Sequence, residues 1–216
     1  MNTLILTASP RPEGNTNSLV KVFAEEMQRQ GAEAPDSRGT EGAGVGQVQV
    51  KTINLFDLDI KPCTACRSCQ KDRNNPACVI DDGLRAVFPE IMKAELIVLA
   101  SPVYSWYCTP PMKALLDRCV YAMNKYYDEP GPSIWQGKEV ALITTCGYPP
   151  EKGADLLEEG IRRYCRHSRL KYRGMLVERH MGYDIPFMDD AKADRARNFA
   201  RGLLAGAEEA GAEEAR

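Results

Sequence analysis

The sequence predicts an α/β protein built on a doubly wound, five-stranded parallel sheet with helices on both faces. Short apolar runs alternate with longer stretches in which apolar residues recur every three or four positions, which is the pattern of strands and helices. One run, ELIVLA at 95–100, is apolar without alternation, as expected of a central strand buried on both faces. The 216 residues, 44% of them hydrophobic, suffice for one substantial core. We therefore expect a single domain over residues 1–216.

The first half of the chain contains the elements strand, helix and strand in that order. Residues 3–7 (TLILT) form an apolar run that ends at the turn-forming SPRPEGNT. A helix follows, in which Leu19, Phe23 and Met27 recur every four residues. Residues 31–46 are rich in Gly and Ala without periodicity, which predicts a flexible insertion before a strand at 48–53.

The second half repeats the alternation of helices and strands. After a cysteine-rich loop at 61–80, residues 81–94 predict a helix with Asp81 or Asp82 near its N-cap, followed by the ELIVLA strand. From Pro111 the apolar positions fit a helix, with proline tolerated in its first turn. The remaining predicted elements are a strand at 140–145, a helix at 151–164, a strand at 175–177 and a final helix.

Composition excludes some classes of partner. The net charge of −2 and the pI near 5.8 provide no basic surface for nucleic acid or an anionic membrane. No apolar run approaches the roughly 20 residues of a membrane span, and the N-terminus lacks a basic leader. We therefore expect a cytoplasmic protein. In a reducing compartment, four cysteines within 62–78 indicate metal or redox chemistry more than disulfides.

The loop after the first strand has the composition of a phosphate-binding site. Ligands of open doubly wound sheets bind beyond the carboxyl ends of the strands, where the strand order reverses. This loop offers hydroxyls, a guanidinium and amides ahead of a helix N-terminus, which favours an anion: Ser9, Arg11, Asn15, Thr16 and Asn17. The lysine of a Walker loop is missing, which argues against an ATPase. The alternative is a capped helix start without a ligand.

Two further loops lie at the same edge of the predicted sheet. The loop after ELIVLA carries an apolar and aromatic ledge suited to a flat heteroaromatic cofactor: Pro102, Val103, Tyr104, Ser105 and Trp106. The alternative is a subunit interface that buries the same rings. The short loop of Thr145, Cys146 and Gly147 can bring backbone N–H groups close to a cofactor's polar edge, since Gly147 allows close approach.

These segments together resemble the flavodoxin-like, NAD(P)H-dependent FMN reductases, and among them the iron-sulfur flavoproteins. The resemblance rests on SPRPEGNT at 9–16, PCTACRSC at 62–69 with Cys78 and Asp81-Asp82, SPVY at 101–104 and KALLDR at 113–118. It implies the strand order 2-1-3-4-5, bound FMN, NAD(P)H as reductant, and homodimers or homotetramers with each flavin near an interface.

The resemblance also implies roles for the residues of the three loops. The five polar residues of the first loop would hold the FMN phosphate, Pro102 to Trp106 would line the isoalloxazine, and Thr145 to Gly147 would flank its pyrimidine side. No catalytic side chain is required, because the flavin carries the chemistry. We accordingly expect the two histidines, His167 and His180, to be surface or structural residues.

The cysteine segment resembles the compact motif of the iron-sulfur flavoproteins, which implies [4Fe–4S] ligation by Cys63, Cys66, Cys69 and Cys78. Three thiols spaced by two residues are also typical of the bacterial ferredoxin run. The final gap of eight residues is longer than in that subgroup, but the polar, turn-prone residues within it allow the chain to fold back. Tetrahedral zinc and a metal-free loop of packed thiols remain alternatives.

Three functions follow from these expectations. The first is an FMN-dependent oxidoreductase that passes electrons to a small-molecule acceptor or exchanges them with a ferredoxin-like protein, with or without a [4Fe–4S] cluster. The second is a non-enzymatic, flavodoxin-like electron carrier, which would favour a strongly acidic surface. The third is a cofactor-free, zinc-binding regulatory protein on the same fold.

Overall fold

The computed structural model describes residues 1–33, 48–126 and 131–214, and within them the five strands form one parallel sheet. The strands are β1 (Asn2–Thr7), β2 (Gln49–Asn54), β3 (Leu96–Pro102), β4 (Glu139–Cys146) and β5 (Lys171–Arg179). Their order is β2-β1-β3-β4-β5, which confirms the predicted fold class and strand order. The order reverses between β1 and β3, where Leu6 lies beside Leu99, and this reversal places the ligand-binding crevice of the fold there.

Helices cover both faces of the sheet. They are α1 (Asn15–Glu33), α2 (Leu84–Lys93), α3 (Pro110–Met123), α4 (Pro150–Gly153), α5 (Asp155–His167) and α6 (Asp190–Glu214). Successive strand residues point to opposite faces. Ile5 and Val98 therefore pack on the side of α1 and α6, whereas Leu6 and Leu99 pack on the side of α2, α3 and α5.

Three element boundaries differ from those the sequence predicts. Strand β5 extends to 171–179 because charged residues at its ends have partners: Arg173 pairs with Glu139, and Glu178 with Arg195. The helix predicted at 151–164 is divided at Ala154. Residues 31–33 of the predicted insertion continue α1, and residues 34–46 lie outside the described residues.

The predicted N-cap of α2 is correct in part. Gly83 occupies the cap position, while the Asp82 carboxylate accepts a hydrogen bond from the Leu84 amide at 3.1 Å. Across the described ranges, none of the helices has the length and apolar character that crossing a bilayer demands.

Candidate functional site

Three loops meet at the carboxyl edge of the sheet, as the sequence predicts. The Ala8 amide donates to the carbonyl of Ala100 at 2.7 Å, and the Val103 amide donates to that of Thr145 at 2.8 Å. These bonds place the β1–α1, β3–α3 and β4–α4 loops side by side. Backbone hydrogen bonds alone therefore bring the three loops together, without any contribution from side chains.

The β1–α1 loop is a tight turn that depends on Gly14. Its amide donates to the Arg11 carbonyl at 2.9 Å, and the Ser9 hydroxyl donates to the same oxygen at 3.2 Å. A Cβ on Gly14 would lie only 3.0 Å from that carbonyl oxygen. A side chain at position 14 would therefore push the turn open.

Asn17 closes this loop from within. Its Oδ1 accepts a hydrogen bond from the Thr7 hydroxyl at 2.5 Å, while Nδ2 donates to the carbonyls of Arg11 and Pro12 at 3.0 and 3.1 Å. Both polar atoms of the amide are thereby used inside the protein. The geometry indicates that the Asn17 side chain shapes the loop, and its direct contact with a phosphate stays a prediction.

Buried hydroxyls connect the loops to one another. The Oγ1 atoms of Thr16 and Thr145 are 2.8 Å apart, with both residues buried. The Thr109 hydroxyl, which immediately precedes α3, donates to the carbonyl of Ala8 at 2.8 Å. Such buried networks are rigid when every member is satisfied, so the relative positions of the three loops are fixed.

His180 is a part of this cluster that the sequence interpretation missed. It directly follows β5, and its amide donates to the Cys146 carbonyl at 2.8 Å. Its Nδ1 lies 3.0 Å from Nδ2 of Asn15, the first residue of α1. Recognising that β5 continues to Arg179 would have placed His180 at the same edge of the sheet.

The aromatic ledge is present and exposed. Tyr104 and Trp106 are about half exposed, and the Trp106 ring stacks on Tyr148 with centroids 5.9 Å apart and planes 17° from parallel. The Trp106 Nε1 donates to the carbonyl of Lys152 at 3.1 Å. Pro102 ends β3 and Val103 follows it, so the aromatic residues lie beside the β1–α1 loop at the carboxyl edge of the sheet.

The ledge is a two-residue hairpin with an unusual backbone. Tyr104 and Tyr107 exchange backbone hydrogen bonds of 2.8 and 2.9 Å, and Ser105 and Trp106 between them have φ of 50° and 62°. Two successive positive φ values are typical of a type I′ turn, which normally uses Asn or Gly. The turn therefore holds two strained residues at the candidate site.

The third loop offers backbone more than side chains. The Cys146 thiol is buried, donates to the Tyr148 carbonyl at 3.2 Å, and has a pKa raised by burial. Thr145 is committed to Thr16. Gly147 is exposed, and a Cβ on it would meet nothing within 4 Å, so a ligand can approach its backbone closely.

Hydrogen-bond donors without acceptors mark the place where an anion would fit. Among the described residues, the Arg11 guanidinium has no partner, and neither do the amides of residues 15–17, whereas the Ser18 amide donates to the Gly14 carbonyl at 3.0 Å. The Nε2 of His180 also has no partner, but it is enclosed by protein and lies out of a ligand's reach. The first N–H groups of a helix lack intrahelical acceptors, and the helix dipole favours negative charge there. A phosphate monoester, such as the one FMN carries, matches this donor set.

The four clustered cysteines lie in one loop and line one small cavity of about 10 Å³, the size of a single water molecule. Two non-glycine residues of this loop, Ala65 and Arg67, have φ of 54° and 58°, which is a strained conformation. Within the described ranges no three Cys, His, Asp or Glu side chains are arranged as metal ligands. A cluster would therefore require the loop to shift.

The thiols of the cysteine segment differ in their pKa values. Hydrogen bonds from the backbone and hydroxyl of Ser68 lower the pKa of the exposed Cys66 thiol, whereas burial raises that of Cys69. The cysteines elsewhere in the protein are buried, and burial raises the pKa of Cys119 and Cys165 to about 12. Those outside the segment are accordingly inert thiols.

A buried arginine ties the cysteine segment to α3. Arg118 is 2% exposed and forms an ion pair with Asp82. Its other contacts are to the carbonyls of Lys61 and Ile80 and to the Cys78 sulfur, each 3.3 Å away. Burial alone would raise the pKa of Asp82, but hydrogen bonds from Arg118 and the Lys61 amide lower it overall.

A buried lysine holds the other end of the segment. Lys125 is 1% exposed, and its Nζ donates to the carbonyls of Cys69 and Asn75 at 3.1 and 2.9 Å. Burial lowers its pKa. Within the described part of the chain no carboxylate forms an ion pair with it, and the charges of Cys69 and Asp72 act on it from a longer range. A buried cation without a close counter-charge is costly. Negative charge on the neighbouring thiols would offset that cost.

Comparison with known proteins identifies the family. Residues 1–158 match the NADPH-dependent FMN reductase family, and the chain belongs to it. It is 31% identical over 118 residues to an iron-sulfur flavoprotein of Methanocaldococcus jannaschii, covering 55% of this chain and 51% of that protein. It is 25% identical over 149 residues to the FMN-dependent NADH:quinone oxidoreductase of Pseudoalteromonas atlantica, covering 68% and 69%.

Solved structures agree on the fold. The NAD(P)H:quinone oxidoreductase from Methanothermobacter marburgensis superposes with a TM-score of 0.61 at 18% identity, over 94% of this chain and 98% of that one. The chain spans about half the length of the iron-sulfur flavoproteins that it matches first.

Proposed function

We propose that this chain is an FMN-dependent oxidoreductase that takes reducing equivalents from NADH or NADPH and delivers them to a small-molecule acceptor such as a quinone. The observation that carries the proposal is that hydrogen bonds hold three loops side by side. Together these loops offer unpaired hydrogen-bond donors, an exposed aromatic hairpin and an accessible stretch of backbone. FMN has complementary parts for all three. Bound FMN would supply the redox chemistry, and no side-chain nucleophile is needed.

The proposed roles of the residues follow from their surroundings. Ser9, Arg11, Asn15 and Thr16 line the phosphate end, and Asn17 keeps that loop closed. Pro102, Val103, Tyr104, Ser105 and Trp106 form the wall against which a flat ring stacks and from which it excludes water. Thr145, Cys146 and Gly147 present backbone to the polar edge of the ring.

A titration of the purified protein with FMN, followed by NADH or NADPH without oxygen, tests this function. We expect stoichiometric FMN binding and loss of the oxidised flavin absorbance on adding at least one of the two nucleotides. Binding without reduction by either nucleotide would instead identify a flavodoxin-like electron carrier. Failure to bind FMN would exclude both and favour the cofactor-free alternative.

Assembly and location belong to the same proposal. One sheet joins both core clusters, which supports a single domain. Exposed large apolar side chains in the loops of the carboxyl edge favour a homodimer or homotetramer: Tyr104, Trp106, Tyr148, Met181, Tyr183 and Ile185. Eight free cysteines agree with a reducing, cytoplasmic compartment. Light scattering of the purified protein measures the assembly.

A second proposal concerns the cysteine segment, where Cys63, Cys66, Cys69 and Cys78 would hold a [4Fe–4S] cluster that exchanges electrons with a ferredoxin-like protein. The specific observation is the buried Lys125, which lies near Cys69 and, among the described residues, has no carboxylate within ion-pair distance, the charge of Asp72 acting on it from farther away. Four thiolates and a cluster would supply the compensating negative charge. The same four thiolates also suit zinc.

Iron, sulfide and zinc analysis of anaerobically prepared protein separates these alternatives. Lys138 provides a matched control, because its amine also donates to two backbone carbonyls and burial also lowers its pKa. We expect Lys125→Met to retain less iron and sulfide per chain than Lys138→Met. Equal iron and sulfide contents in the two variants would show that Lys125 does not stabilise a cluster. An absence of both iron and zinc from the wild type would show that the loop is metal-free.

A further inference from the structure

One buried guanidinium holds both ends of the cysteine segment. Nη1 of Arg118 donates to the carbonyl of Lys61, two residues before Cys63, at 3.3 Å. Nη2 donates to the carbonyl of Ile80 and to the Cys78 sulfur, each 3.3 Å away. Arg118 therefore closes the segment into a loop and contacts one of its four thiols directly.

Several contacts fix the position of the Arg118 guanidinium. It forms a buried ion pair with Asp82, and the Asp82 carboxylate also accepts from the amides of Lys61 and Leu84 at 2.8 and 3.1 Å. The four hydrogens on Nη1 and Nη2 thus have four acceptors, and the guanidinium itself is planar and permanently charged. A donor that is fixed in this way also fixes the place of the sulfur that accepts from it.

The cysteine segment combines this fixed thiol with a more exposed stretch. All four cysteines line one small cavity, and Arg118 lines it with them. Four thiols are the ligand set of both a [4Fe–4S] cluster and structural zinc, so the donor set fits such a metal. Lys125 holds the carbonyl of Cys69, whereas Cys66 is exposed. The shift that metal binding requires therefore falls on the exposed stretch before Cys69, while Cys78 stays in place.

We propose that Arg118 is a positioning residue of this metal site, which holds the Cys78 sulfur as the fourth ligand across the eight-residue gap after Cys69. The inference rests on the proposed metal binding by the four cysteines. A partner that donates to a ligating atom orients that atom, and removing such a partner typically weakens metal binding by about 10- to 100-fold. The long gap is thus bridged by a side chain of α3 and not by the segment itself.

Titration of the reduced, metal-free protein with Cd²⁺ tests this role through the ultraviolet charge-transfer absorbance of cadmium thiolates. The probe is Cd²⁺ alone, so the test needs neither cluster assembly nor flavin. We expect Arg118→Lys to raise the Kd for Cd²⁺ roughly tenfold to a hundredfold, because lysine keeps the charge but cannot donate to Asp82 and Cys78 from one planar fork. In a Cys78→Ser background the same change should raise the Kd less than about twofold, because the ligand through which Arg118 acts is gone.

Two further variants serve as controls. Arg173→Lys is matched to Arg118→Lys, because Arg173 also pairs with a carboxylate, that of Glu139, and donates to a backbone carbonyl, but contacts α6 instead of the cysteine segment. Its Kd for Cd²⁺ should equal that of the wild type. Far-ultraviolet circular dichroism checks that each variant is folded. If Arg118→Lys is not, Asp82→Asn carries the same comparison, because it removes the charge that fixes the guanidinium and should raise the Kd only when Cys78 is present.

The titrations separate failure of this inference from failure of the proposed metal site. A wild type that forms no cadmium–thiolate absorbance removes the metal site and this inference with it. A wild type that binds Cd²⁺ with a Kd that Arg118→Lys leaves unchanged removes only the role of Arg118. An increase in Kd that is equally large with and without Cys78 also overturns the inference, because it shows that Arg118 supports the fold of the segment and does not act through that sulfur.

Discussion

Replacing Asn17 by alanine should lower the free energy of unfolding by about 1–3 kcal/mol, because a buried hydroxyl loses its acceptor. The amide of Asn17 makes three contacts, one with the Thr7 hydroxyl and two with the carbonyls of Arg11 and Pro12. The two carbonyls lie near solvent, where water can replace the lost donor. Thr7 is 4% exposed, so its hydroxyl would remain buried and unpaired. The Thr7 contact therefore dominates the expected loss.

Urea denaturation of four proteins measures this contact as a double-mutant cycle. The proteins are the wild type, Asn17→Ala, Thr7→Val and the double variant, and we expect a coupling energy of about 1 kcal/mol. Asn17→Asp keeps the acceptor for Thr7 and loses both donors, so it should cost less than Asn17→Ala. For a chain of this size, each 1 kcal/mol corresponds to about 2–4 °C in Tm.

The cycle also decides between two roles for Asn17. A residue that shapes the loop changes stability in the absence of any ligand, whereas a phosphate ligand changes only FMN affinity. If Asn17→Ala unfolds like the wild type, shows no coupling to Thr7, and raises only the Kd for FMN, the argument from the loop geometry is wrong. In that case the direct phosphate contact implied by the family resemblance would hold.

Three further predictions concern pH, backbone strain and stacking. Hydrogen bonds from Arg29, and then from Arg201 and Gln30, outweigh burial and lower the pKa of Glu26 from 4.5 to about 2. The ionised carboxylate therefore stabilises the folded protein fully above pH 4.5, and this stabilisation is lost as pH falls toward 2. Because Arg29 and Arg201 are half exposed, we expect the free energy of unfolding to fall by about 1–2 kcal/mol between pH 5 and pH 3, as measured by urea denaturation. This difference should vanish in Glu26→Gln and persist in Glu25→Gln. Ser105→Gly should raise the unfolding free energy by about 0.5–1 kcal/mol, since glycine adopts φ of 50° without strain, and a decrease would contradict the strained-turn interpretation. Trp106→Ala should raise the Kd for FMN and riboflavin equally, by roughly threefold to tenfold in fluorescence titrations, whereas an effect on FMN alone would show that the ring does not stack on the flavin.

The sheet was predictable because a strand composed almost entirely of apolar residues is stable only when both of its faces are buried. ELIVLA has no polar residue after Glu95, so it has to be buried on both faces, and the structure places it at the centre of the order. Strand β5 was predicted too short, because the ends of an edge strand are charged. Those charges are paired across elements, as Arg173 is with Glu139, and a single sequence does not reveal which charges are paired.

The contact between Asn15 and His180 could not be predicted from local pattern. The two residues are 165 positions apart, and their contact depends on how far β5 runs beside β4, where Cys146 pairs with Arg179. The pattern of loops identified the other residues of the site because each loop follows an apolar run. His180 follows a charged one, Glu178 and Arg179, which resembles a surface segment.

The cysteine segment shows why a buried cation is a stronger clue than the spacing of thiols. Arg118 and Lys125 would be expected on the surface, because these residue types are almost never fully buried without partners. Residues 61–80 cover them, so the segment forms part of the core wall beside α3 and is not a detached flap. Arg118 lies eight residues beyond Pro110, or about 12 Å along the helix from the end that borders the flavin loops. Sites separated by more than about 10 Å without shared partners usually act additively. Metal retention in Lys125→Met and flavin affinity in Trp106→Ala therefore report on separate parts of the molecule, and failure of one proposal leaves the other intact.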